Sequence, residues 1–122
     1  MKPNIVQDKS YSFAIRIISV ARWLRTQKEF ELSSQVLRAG TGIGSNVEEA
    51  LAAVSRPDFV AKMGVASKEA RESYSWLRLL RDAGVLPNRK IGPLLNDCLD
   101  LVRLLTAIIK TSQKPSSCQT KS

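Results

Sequence analysis

Three glycines lie within one helical pattern, between Leu37 and Ala50. Apolar residues recur there at intervals of three and four, a spacing that predicts the interior of a long amphipathic helix. Each glycine in a helix interior costs about 1 kcal/mol relative to alanine. Gly40 and Gly44 are four residues apart, the spacing that lets two helix backbones approach closely. The segment therefore indicates a tightly packed helical bundle and not a reactive centre.

The apolar pattern of the whole chain predicts an all-α fold. No segment alternates with the period of two that is typical of strands, and Pro57, Gly84 and Pro87 mark helix boundaries. Short connections between long helices imply an antiparallel up-down-up-down four-helix bundle. The predicted helices cover residues 4–27, 31–55, 57–83 and 89–111 of a domain spanning 1–112, and residues 113–122 are expected to form a disordered polar tail.

The first and fourth helices carry more apolar residues than one core-facing stripe requires. On the first helix, Ile15, Ile18 and Trp23 lie away from the main stripe, and the apolar residues of the fourth helix span about half of its circumference. A monomer rarely exposes so much apolar surface. We therefore expect a second contact surface on these helices and assembly into a homo-oligomer.

The chain carries a formal net charge of +8, which is unevenly distributed. The glycine-bearing second helix is acidic, whereas the other three segments are basic. Such a surface suits an anionic partner, RNA or DNA above all. The alternative is a solvated surface that only keeps the protein soluble, and the sequence leaves both interpretations open.

Basic residues of the first helix and of the region around the end of the third are the candidates for phosphate contact. Trp23 lies between Arg22 and Arg25, where an aromatic ring could stack on the bases of a single strand. Burial of Trp23 at a subunit contact is the alternative. The predicted nucleic-acid-binding residues are Arg16, Arg22, Arg25, Lys28, Arg78, Arg81, Arg89 and Lys90.

Polar residues on one flank of the second helix and one flank of the third predict an inter-helix network. Arg38 would pair with Glu69 or Glu72, and Glu49 with Arg71, which fixes the register of the helices at the cost of desolvating charges. A ligand site lined by these groups is the alternative. The predicted network consists of Arg38, Asn46, Glu49, Glu69, Arg71 and Glu72.

Several features argue against an enzyme. The chain has no histidine, which removes the commonest general base and the commonest transition-metal ligand. The glycines at 40, 42 and 44 lack the preceding strand and the lysine of a phosphate loop. Cys98 lies on an apolar stripe and Cys118 in the polar tail, so we expect no disulfide between them. We predict no catalytic residue, no cofactor and no metal site.

Location is predicted from what the chain lacks. It contains no apolar run long enough to span a bilayer, and its first residues do not resemble a secretory signal. We therefore expect a cytoplasmic protein without membrane contact.

Several strings of the sequence resemble one known family. They are LR at 37–38, IG at 43–44, NVEEA at 46–50, KEARE at 68–72, WL at 76–77, LL at 79–80 and LTAIIKT at 105–111. Together they resemble the bacterial four-helix-bundle family encoded in intervening sequences of large-subunit (23S) ribosomal RNA, from about residue 8 to residue 111.

The resemblance implies a small up-down bundle that assembles into a ring, a homopentamer. Related bundles include the accessory variability determinants of diversity-generating retroelements, in which a basic surface contacts nucleic acid and a reverse transcriptase. The resulting hypothesis is a non-enzymatic homo-oligomer that binds nucleic acid through a basic surface. The alternative is an interaction adaptor that docks a reverse transcriptase or another protein and has no nucleic-acid specificity of its own.

Overall fold

A computed structural model describes residues 4–113, which form four α-helices and, within that range, no strand. Consecutive helices pack against each other extensively, whereas α1 and α4 touch along a much sparser contact. No helix in this part of the chain is long and apolar enough to cross a bilayer. The helices are α1 (Ile5–Thr26), α2 (Phe30–Leu51), α3 (Arg56–Asp82) and α4 (Asn88–Ser112).

One core lies between the four helices, and each helix contributes to it at the helical spacing of three and four residues. A buried hydroxyl inside it has a hydrogen-bond partner on the neighbouring helix: Ser33 donates to the Ala21 carbonyl at 2.8 Å. The largest fully buried side chains are Phe13, Ile17, Leu24, Val36, Ile43, Val47, Met63, Leu77, Leu80, Ile91, Leu101 and Leu105.

Contacts between α1 and α2 follow opposite residue orders along the two helices. Near the start of α1, the Gln7 amide donates to the Glu48 carboxylate, close to the end of α2. Near the end of α1, the Ala21 carbonyl accepts from Ser33, close to the start of α2. The connection between them is three residues long, and its middle residue, Lys28, adopts a left-handed φ of 62°.

The glycines of α2 face two different helices. A β-carbon at Gly40 would lie 2.6 Å from Cγ2 of Ile17, and one at Gly44 would lie 3.5 Å from the Ser10 carbonyl oxygen, both on α1. A β-carbon at Gly42 would instead lie 3.2 Å from Cδ of Glu69 on α3. The closest approach of backbone to side chain is therefore at Gly40, where α1 leaves no room for even a methyl group.

Helix α2 ends at Leu51, four residues before the predicted end at residue 55. Apolar spacing continues through Val54, but that side chain is 94% exposed. Ser55 is extended (φ −151°, ψ 162°), and its hydroxyl accepts from the Asp58 amide as the N-cap of α3. Because the cap requires an extended residue, the chain must leave the helical conformation before Ser55. Every other helix end lies within one residue of the predicted position.

Candidate nucleic-acid interface

A groove separates the second half of α1 from the start of α4, where the contact between these helices is sparse. Its volume is about 490 Å³. Leu86 and Leu94, both buried, contribute apolar surface, and the indole of Trp23 is 39% exposed beside them. The groove is lined by Arg16, Ser19, Val20, Trp23, Leu86, Pro87, Arg89, Lys90 and Leu94.

Three of the predicted phosphate contacts meet at this groove. Arg16 of α1 forms an ion pair with Asp97 of α4, so its charge is partly compensated. Arg89 and Lys90 are exposed and make no ion pair with any residue of 4–113. The groove therefore combines apolar walls with a positively charged rim.

The remaining candidates on and after α1 lie outside the groove. Arg22 is exposed on the face of α1 that points away from the core. The Arg25 guanidinium lies over the Phe30 ring, 5.2 Å from its centroid, a cation–π contact that joins the end of α1 to the start of α2. Lys28 is exposed in the turn between them.

The α3 candidates differ in their surroundings. Arg78 is exposed on α3. Arg81 is partly compensated, since its guanidinium donates to the Asp82 carboxylate at 2.8 Å. That hydrogen bond lowers the pKa of Asp82, so the neighbouring acid stays ionised.

Apart from Arg16, which lies near the middle of α1, these residues share one end of the molecule. The groove places the end of α1 beside the start of α4, so the α1–α2 and α3–α4 connections lie close together. We define the basic end as residues 22–31 and 78–90, which hold seven Lys and Arg against three Asp and Glu. Around the α2–α3 connection, residues 48–62 hold two basic and three acidic residues. The positive charge of these connections is therefore concentrated at the basic end.

Arg38 joins α2 to α3. Its guanidinium donates to Glu72 and, at 3.5 Å, to Glu69, and it also contacts Gln35 at 3.1 Å. The hydrogen bond to Glu72 raises the pKa of Arg38. Because Gly42 has no side chain, the Glu69 carboxylate can lie against α2 within reach of Arg38. Gly42, the middle of the three glycines, thus makes room for a charged group and not for a helix backbone.

The predicted pair of Glu49 with Arg71 is wrong. Glu49 accepts from Lys62 at 2.9 Å, whereas Arg71 donates to Thr106 of α4 at 3.2 Å. Arg38 lies opposite Glu72, and the contacts run in opposite directions along α2 and α3. Glu49, eleven residues after Arg38, must therefore lie opposite a residue about eleven positions before Glu72, which is where Lys62 stands. Arg71 lies about 14 Å along the helix from Lys62, at 1.5 Å per residue, and faces α4 instead.

Asn46 and Cys98 have local roles. The Asn46 side-chain amide donates to the Gly42 carbonyl at 2.8 Å, one turn back in the same helix, and not to a group on another helix as predicted. The Cys98 thiol donates to the Ala70 carbonyl at 3.3 Å, and burial raises the pKa of Cys98 to about 12, so the thiol is protonated at neutral pH. Cys118, the predicted polar tail after Gln113, and therefore any disulfide, lie outside the described residues.

No group of three or more His, Cys, Asp or Glu side chains positioned to hold a metal ion occurs within residues 4–113. The polar network is half-exposed and internally paired through Arg38. It has the arrangement of groups that fix the register of two helices.

The sequence interpretation missed the groove itself and the Asp97 partner of Arg16. Arg16, Ser19, Val20 and Trp23 have the spacing of a single α1 face, which is a recognisable signal. That face is neither fully apolar nor fully polar, so hydrophobic periodicity alone did not single it out.

Comparison with known proteins identifies the family. The model of the 23S rRNA-intervening sequence protein family matches residues 2–107. The chain belongs to this family. The residues that match the 23S rRNA-intervening sequence protein family cover all of α1, α2 and α3 and most of α4.

A solved structure shows the same fold. It is a protein of unknown function from the S23 ribosomal protein family of Bacteroides thetaiotaomicron, 43% identical, with a TM-score of 0.83. The similarity covers 86% of this chain and 98% of the other. The comparison with curated proteins found no match to this sequence.

Proposed function

We propose that this protein is a non-enzymatic homo-oligomer that binds RNA or DNA through its basic end. The observation that carries the proposal is the convergence of seven Lys and Arg residues, against three acids, around two neighbouring connections. Positively charged side chains clustered on one surface attract phosphates and raise association rates with polyanions. Arg89 and Lys90 contribute most here, because they are exposed and have no acidic partner among residues 4–113.

Binding of fluorescent RNA, single-stranded DNA and duplex DNA at about 50 and 200 mM salt tests the proposal. About four phosphate contacts to a single strand would lower the affinity roughly 50-fold between these concentrations, because each contact releases bound counterions. Masses measured in parallel by light scattering report the assembly. An oligomer that binds none of these nucleic acids at the lower salt would contradict the proposal. It would favour the adaptor, whose basic end would face an acidic surface of a reverse transcriptase or another protein.

We further propose an antiparallel up-down-up-down bundle that assembles with copies of itself in the cytoplasm. The opposite order of contacts along α1 and α2, and along α2 and α3, supports the antiparallel arrangement. The family resemblance suggests a pentameric ring. Five copies would carry about +40 before counterions, a strong field for nucleic acid.

The outer face of α1 is the surface we assign to this assembly. Tyr11, Ile15 and Ile18 are 67%, 52% and 38% exposed. Their spacing of four and three residues places them in one stripe, roughly opposite the buried face of the helix. An apolar stripe turned to solvent is typical of a protein contact surface.

Replacing Ile15 with glutamate is expected to dissociate the oligomer to smaller species while the circular dichroism spectrum stays helical. The charge would have to be desolvated in the contact, which costs far more than leaving it in water. Val54→Glu is the matched control, since Val54 is apolar, 94% exposed and lies in the α2–α3 connection and not on the outer face of α1. Light scattering at micromolar concentration measures both. An unchanged mass for Ile15→Glu would show that subunits meet elsewhere.

A further inference from the structure

We infer that the groove between α1 and α4 receives an unpaired base of single-stranded nucleic acid, stacked on Trp23, with the neighbouring phosphates on Arg89 and Lys90. The inference rests on the proposed function and names its ligand class: single strands with accessible bases, in preference to duplexes. It also assigns Trp23 a role that phosphate attraction alone does not require.

The geometry of the groove suits a planar aromatic ligand. The volume of about 490 Å³ falls within the roughly 300–1,000 Å³ range of small-molecule sites. Trp23 is 39% exposed and is flanked by Val20 on its own helix and by Leu94 on α4. Trp76, in contrast, is packed against the core. Trp23 is therefore the more exposed of the two tryptophans.

The charges at the rim select an anion. Arg89 and Lys90 stand at the start of α4 on the edge of the groove, and Arg16 stands on the α1 side with its charge shared with Asp97. An aromatic surface beside several cations matches a nucleotide, in which a flat apolar ring is attached to a phosphate. In a duplex each base is already stacked and paired, so entering the groove would require it to be extruded at a cost.

Trp23 lies on a different face of α1 from the proposed assembly stripe. At about 100° per residue, it is separated by at least about 80° around the helix from Tyr11, Ile15 and Ile18. Stacking on Trp23 and contact between copies through the stripe therefore use different side chains on neighbouring faces of α1. A variant at Trp23 can change one without changing the other.

The test begins from full-length Trp76→Phe protein, in which Trp23 is the single tryptophan. Its fluorescence is followed on addition of oligo-uridine, an abasic oligonucleotide of equal length and a duplex. Quenching by the oligo-uridine but not by the abasic strand is expected, because only bases stack on the indole. Trp23→Leu, made in the wild-type protein, should weaken binding of the oligo-uridine about 5- to 150-fold per stacked base and leave abasic binding unchanged. Trp23→Phe keeps an aromatic ring and should retain most of the affinity.

Three results would overturn the inference. Salt-dependent binding that is equal for the oligo-uridine and the abasic strand, and unaffected by Trp23→Leu, would leave the phosphate-binding function intact but remove the stacking site. A changed mass of Trp23→Leu in light scattering would assign the groove to a contact between copies. Absence of binding by the wild-type protein would instead reject the proposed function itself, and the inference with it. Retained helical circular dichroism in each variant excludes unfolding as the cause.

Discussion

Gly40→Ala is expected to lower the free energy of unfolding by about 1–3 kcal/mol, although alanine is the better helix former. The new β-carbon would lie 2.6 Å from Cγ2 and 2.7 Å from Cγ1 of Ile17. Ile17 is fully buried, and a β-branched side chain in a helix has one strongly preferred rotamer, so it cannot turn aside. The substitution must therefore push α1 and α2 apart, which disrupts packing beyond the site itself.

Gly64→Ala is the matched control, made in the interior of α3. A β-carbon at Gly64 meets nothing within 4 Å. Only the helix preference remains, and the free energy of unfolding should rise by about 0.5–1 kcal/mol. The same chemical change is thus expected to have opposite signs at two helical glycines. Urea unfolding followed by circular dichroism measures both, provided that the m-values agree.

A double substitution identifies the cause of the loss at Gly40. Ile17→Ala alone should cost about 2–5 kcal/mol, because it leaves a cavity in the core. The double variant Ile17→Ala/Gly40→Ala should lose less stability than the sum of the losses in the two single variants, since the new methyl group occupies space that Ile17 vacated. Strict additivity of the two costs, or a neutral Gly40→Ala, would refute the close approach of the helices at this position.

The sequence predicted that the glycines permit close packing, but it could not assign each to a neighbour. Gly40 and Gly42 are two residues apart and therefore lie on different sides of α2, facing Ile17 of α1 and Glu69 of α3. Apolar spacing also located all four helices, because each buries one face. It failed at the end of α2, where Val54 continues the spacing but the cap at Ser55 determines where the chain turns.

The sequence predicted which sides of α2 and α3 face each other, but not which residues lie at the same height along the two helices. The sequence placed Arg38 on a flank that could face Glu69 and Glu72, and the structure pairs Arg38 with both. It could not exclude Arg71 as the partner of Glu49, since the alignment of two helices along their axes depends on the connection between them. The groove was harder still, because α1 and α4 are far apart in the chain, and nothing local in the sequence links Trp23 to Arg89.

Reversing two charges at the basic end is expected to have the largest effect on binding. In Arg89→Glu/Lys90→Glu, two phosphate contacts are lost. Each contact to a single strand contributes about eightfold in affinity at about 50 mM salt, so the affinity should fall at least roughly 50-fold. The slope of log affinity against log salt should also become shallower by about 1.4, because fewer counterions are released on binding.

The control uses the same helix and the same change of charge. Arg103 and Lys110 are exposed near the other end of α4, so Arg103→Glu/Lys110→Glu alters the net charge equally but leaves the basic end intact. If binding is local to the basic end, this control should lose only a few-fold of affinity, since charges beyond a Debye length of about 8–10 Å are largely screened. Equal losses in the two double variants would mean that nucleic acid responds to the total charge and not to a defined surface. A large loss confined to Arg89→Glu/Lys90→Glu would locate phosphate binding at the rim of the groove, independently of whether a base stacks on Trp23.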